Sequence, residues 1–97
     1  MITHIVLMKF KEEGKEQNVA RAQDLLLSMV GKVESLRHLE VGLNIVESDR
    51  ALDLALLTRF DDVDGLSSYG SHPVHVEVKK FLATVLASSF VVDYESA

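Results

Sequence analysis

Leu39-Glu40-Val41-Gly42-Leu43-Asn44-Ile45 alternates apolar and polar side chains, and Leu54-Ala55-Leu56-Leu57-Thr58-Arg59-Phe60 follows after the polar turn Glu47-Ser48-Asp49-Arg50. Period-two alternation is the mark of a half-buried strand, so these two runs read as a hairpin in the middle of the chain. On the amino-terminal side, Val19, Ala22, Leu25/Leu26, Met29/Val30 and Val33 recur at steps of three and four. This is the stripe of one amphipathic helix, with Lys15, Glu16, Arg21 and Asp24 on its wet side. Ahead of that helix, Ile2 to Phe10 is rich in β-branched and apolar residues and reads as a first strand. On the carboxyl side, Asp61, Asp62 and Asp64 suit a helix amino terminus, and a short helical turn through Leu66 and Tyr69 ends at Gly70. Pro73 then fits the first position of another helix, where its missing N–H costs nothing. Val74, Val78, Phe81, Leu82 and Val85 supply its buried face, and Ser88 to Tyr94 forms a last strand. The order is β-α-β-β-α-β, with the second helical region broken at Gly70–Pro73. It predicts an α+β fold, a ferredoxin-like four-stranded antiparallel sheet with helices on one face.

The first strand carries a further message. Its even residues include His4, Val6, Met8 and Phe10, and its odd residues include Ile5 and Leu7. Alternation makes the middle of this strand apolar on both faces. Helices cover only one face of a two-layer domain, so the other face presents an apolar patch of a kind that monomers seldom expose. A second copy packed sheet against sheet covers it, and a homodimer enclosing a barrel is expected. The competing reading is a monomer with half-exposed apolar residues.

Composition narrows the function classes. The 97 residues, 47% hydrophobic and 26% charged, are globular in character and predict one domain over residues 1–97. The net charge of −5 and the lack of any Lys/Arg cluster argue against a nucleic-acid partner. Zero cysteines remove disulfides, thiolate catalysis and cysteine-held metals. No run approaches the length of a secretory or membrane-spanning segment, so no membrane partner is expected and a cytoplasmic location is.

Three stretches carry a resemblance: His4-Ile5-Val6-Leu7-Met8-Lys9-Phe10-Lys11, Tyr69-Gly70-Ser71-His72-Pro73-Val74-His75 and Val91-Val92-Asp93-Tyr94. Together they resemble the stress-responsive dimeric α+β barrel (Dabb) domain family over essentially the whole chain. The Tyr-x-x-His-Pro-x-His element is the most specific part. The resemblance implies the ferredoxin-like barrel dimer. The family includes stress-associated and antifungal plant proteins, and one polyketide cyclase that performs an intramolecular aldol condensation without a cofactor. For that activity it implies His75 as the catalytic histidine, Tyr69 as a helper tyrosine and His4 as a strand-one histidine. Related barrels include cofactor-independent monooxygenases that rely on an Asn/Trp/His set, and this chain has no tryptophan.

The candidate residues also have a reading of their own. His75 falls in the first turn of a helix opened by Pro73, where unpaired backbone N–H groups disfavour imidazolium and leave a neutral base. His4 on the even strand face meets it across a pocket lined by Val6, Met8, Phe81, Val85 and Leu86, with Tyr69 placing a phenol at the mouth. A neutral base, a phenolic donor and an apolar enclosure suit proton removal beside a carbonyl. They equally suit a small aromatic or apolar ligand, or a satisfied core in which His4 and Tyr69 only pack and His72 only caps the helix. Three imidazoles, at His4, His72 and His75, invite a metal, but no carboxylate accompanies them in the motif, and neither metal nor cofactor is expected. His38 is expected in solvent.

Overall fold

Seven elements make up the structure, a computed structural model describing residues 1–97: β1 (Ile2–Phe10), α1 (Lys15–Leu27), β2 (His38–Leu43), β3 (Leu54–Phe60), α2 (Val63–Ser71), α3 (Pro73–Val85) and β4 (Leu86–Glu95). The strands form one antiparallel sheet in the order β2-β3-β1-β4. This is the ferredoxin-like arrangement that the element order predicts.

Local chemistry sets the helix boundaries. Gly14 opens α1 from a left-handed conformation at φ 67°. Asp62 caps α2, its carboxylate accepting from the Gly65 N–H at 2.8 Å. His72 ends α2 and caps α3, its Nδ1 accepting from the Val74 N–H at 3.1 Å, with Pro73 at the first helical position. Ala87 is an extra residue of β4 between the pairs Lys9–Ser88 and Phe10–Leu86, and beside this bulge the Phe10 N–H donates to Asp53 Oδ2 at 2.7 Å. That bond satisfies a donor that the irregular ladder leaves free.

One face of the sheet meets the helices. Met8, Phe10, Leu54, Leu56 and Phe60 from β1 and β3 pack there against Ala22, Leu26, Tyr69, Val78, Leu82 and Val85. The first helix is shorter than its stripe. It ends at Leu27, and Met29, Val30 and Lys32 donate to carbonyls three residues back around Gly31 at φ 82°. Met29 and Val33 stay buried all the same, because these tight turns keep carrying apolar side chains inward after the helix has stopped. The second strand also stops early. Ile45, expected on its buried side, lies beyond Leu43 and is 93% exposed.

The opposite face has no covering layer. Cross-strand register places Ile5 between Leu57 and Val92, and Leu7 between Ala55 and Phe90. Leu7, Phe90, Val92 and Tyr94 are exposed there. This is the two-faced apolar character read from β1.

Candidate functional site

A cavity of about 430 Å³ opens between the sheet and α3. His4, Tyr69 and His75 border it together, so residues 71 positions apart in the chain share one hollow. Val6, Met8 and Leu86 line it as well, joined by Leu26, Leu56, Val78 and Leu82. Phe81 and Val85, expected on its wall, are not there. Phe81 lies under the Arg21 guanidinium, 5.6 Å from its ring centre, and Val85 belongs to the packed core. The side of α3 that carries Phe81 meets Arg21 of α1, while Val78 and Leu82 line the hollow.

Tyr69 is also placed differently from the expectation. It is 1% exposed, part of the floor rather than the mouth. Its ring lies tilted against Phe60 at 5.0 Å and against His75 at 4.1 Å, and stands edge-on 6.3 Å from His4. The buried hydroxyl has no hydrogen-bond partner. Burial pushes its pKa up to about 12, so the phenol keeps its proton at neutral pH and is a donor.

The histidines are oriented by acceptors. His75 Nδ1 lies 3.0 Å from the Gly70 carbonyl oxygen. A carbonyl only accepts, so Nδ1 carries the hydrogen and Nε2 keeps a lone pair. Burial holds the His75 pKa below its usual value, against the Gly70 bond, which favours the protonated ring, and with the help of the Lys79 charge. His4 Nδ1 pairs in the same sense with the Asp93 carboxylate on the neighbouring strand. The sequence of the closing motif does not mark Asp93 as a partner, because its pairing with His4 depends on the β1–β4 register, which composition does not encode. His38 is exposed, 4.0 Å from Glu40. No group of three His, Cys, Asp or Glu side chains stands together as a metal site.

The lowered His75 pKa predicts a pH effect on stability. The unfolded chain binds the proton more readily than the folded one. The stabilisation is therefore fully present above about pH 6.5 and is lost as the pH falls through the lower folded value. His75→Asn keeps a donor for the Gly70 carbonyl and removes the titration. Denaturant melts of both proteins should show a smaller loss of stability below pH 6.5 in the variant; parallel losses would exclude His75 as the source.

Comparison with known proteins fits this architecture. A stress-response A/B barrel domain-containing protein of Arabidopsis thaliana is 27% identical over 94 residues, covering 97% of this chain and 85% of that protein. A dimeric protein of unknown function with a ferredoxin-like fold from Bacteroides fragilis is 32% identical. Its TM-score is 0.88, with 98% of this chain and 95% of that one covered. The hydroxynitrile lyase of Passiflora edulis shares the fold at TM-score 0.84 and 16% identity, with 96% of this chain and 90% of the lyase covered. No helix of the structure is long and apolar enough to cross a membrane. The family model for the stress responsive A/B barrel domain (Dabb) matches residues 2–96, and this chain belongs to that family.

Proposed function

We propose that this protein is a homodimer, joined through the open sheet face, that binds a small and mainly apolar molecule in the cavity between sheet and α3. Its role is stress-associated, as the names of its relatives suggest. One observation carries the binding reading: a buried, protonated Tyr69 hydroxyl without a partner borders an apolar hollow. A buried donor left unmade costs about 1–3 kcal/mol, and a ligand carrying a carbonyl oxygen would recover that loss. The dimer reading is supported by the uncovered apolar face and by the dimeric state of the Bacteroides fragilis relative.

The test uses 4-propylbenzamide, whose carbonyl accepts from Tyr69, whose N–H suits His75 Nε2 and whose propylphenyl body suits the apolar wall. A ligand that binds only the folded state raises its melting temperature, so a dose-dependent rise is expected. Tyr69→Phe should weaken that binding. It should also raise the melting temperature of the free protein by about 4–8 °C, which corresponds to roughly 1 kcal/mol in a domain of this size. No shift with the amide, together with a Phe variant no more stable than the parent, counts against the binding reading.

The free lone pair of His75 favours a second reading, a cofactor-free lyase or cyclase. His75 Nε2 would take a proton from carbon beside a carbonyl polarised by Tyr69, with His4 as the orienting group. The fold of the Passiflora edulis lyase is the same. Deuterium exchange into a bound aryl ketone, monitored by NMR, is expected to disappear in His75→Ala. Absence of exchange in the parent leaves ligand binding alone.

A further inference from the structure

The cavity has a charge that the proposed function leaves unused. Fourteen residues line it, and Lys79 is the one among them with a formal charge at neutral pH. Its neighbour Lys80 is held by Glu77 at 3.1 Å, but no carboxylate pairs with Lys79. The nearby Asp93 carboxylate is occupied by His4. An acidic chain of net charge −5 thus keeps an unpaired cation at the rim of its apolar hollow.

Helix geometry directs that cation toward the site. Lys79 follows His75 by four residues, one turn along the same face of α3. Long helical side chains lean back toward the amino terminus, over the residue one turn earlier. The Lys79 stem is long enough to span the rise of about 5.4 Å per turn, which puts its ammonium within reach of the part of the cavity bordered by His75 and Tyr69. The Lys79 charge is in fact one of the influences that lower the His75 pKa.

We propose that Lys79 selects the ligand: the cavity takes a small carboxylic acid, its apolar body against Val6, Met8 and Leu86 and its carboxylate between the Lys79 ammonium and the Tyr69 hydroxyl. This inference rests on the binding reading and names the class of molecule for the same site. An anion here meets one positive charge and one strong neutral donor, and charge-assisted bonds are about twice as strong as neutral ones.

A matched pair of probes separates the two claims. Calorimetric titration with 4-propylbenzoate and 4-propylbenzamide compares an anion with a neutral molecule of nearly the same shape. The benzoate is expected to bind about tenfold more tightly at low salt, with the preference shrinking as salt is added. In Lys79→Met the preference should vanish while the amide binds as before; Lys79→Arg should keep it. Lys79 is exposed, so these variants should fold like the parent. Equal affinities in the parent, or a preference that persists in Lys79→Met, overturns the assignment of Lys79 and leaves the binding reading standing. Binding of neither probe overturns both.

Discussion

Phe90→Glu is expected to convert a species near twice 10.8 kDa into one of 10.8 kDa in sedimentation at micromolar concentration. Phe90 lies on the uncovered sheet face opposite Leu7 and is 58% exposed in the protomer. The substitution therefore removes little that holds one chain folded. In a symmetric dimer the same residue is contributed twice. Losing an aromatic from an apolar contact costs about 2 kcal/mol per copy, and a buried carboxylate adds a desolvation penalty. The loss of about 4 kcal/mol corresponds to roughly a thousandfold in dissociation constant. A variant that remains dimeric would place the interface elsewhere.

Phe60→Ala is the second large effect, and it acts on the site from outside. Phe60 is fully buried on β3, does not line the cavity, and supports the Tyr69 ring at 5.0 Å. Truncating a core phenylalanine costs about 3–5 kcal/mol. At about 4–8 °C per kcal/mol in a domain of this size, the melting temperature falls by at least roughly 12 °C. Tyr69 also loses the surface that fixes its ring against His75, so ligand binding should fail even at temperatures where the variant is folded. Phe60→Leu keeps most of the volume and should fold well. Ligand binding measured in that milder variant separates loss of support from loss of fold: affinity close to the parent's would mean that Tyr69 is held by other contacts.

Much of the architecture is legible in the chain because periodicity is a local property. The run Leu54–Phe60, read as a strand, has buried positions on every second residue in the structure, and Pro73 with His72 marks the start of α3 as read. The two-faced character of β1 needs only its own nine residues. The departures occur where a distant element decides. Ile45 continues the alternation of β2, but the strand stops at Leu43, where its pairing with Leu54 ends. Phe81 and Val85 share an apolar stripe with Val78 and Leu82, and only the packing of α1 against α3 determines which of the four look into the hollow. Tyr69 reads as a residue at the end of a helical turn, and its depth follows from Phe60, nine positions earlier. The pairing of His4 with Asp93 joins residues 89 apart and depends on strand register. Lys79 carries no signal at all until the face of α3 is known.

The middle of β1 gives its consecutive side chains different company. His4 and Val6 look toward the hollow, while Ile5 and Leu7 look toward the uncovered surface. Inserting one residue ahead of Ile5 would shift every later position of the strand to the opposite side. Isoleucine and leucine would then turn into the cavity, and valine and methionine onto the outer surface. Such an insertion would damage pocket and self-association in one step, whereas the polar loop between β2 and β3 should accommodate the same added residue with little change to either. Length variation among proteins built on this plan is accordingly expected in that loop and not in β1.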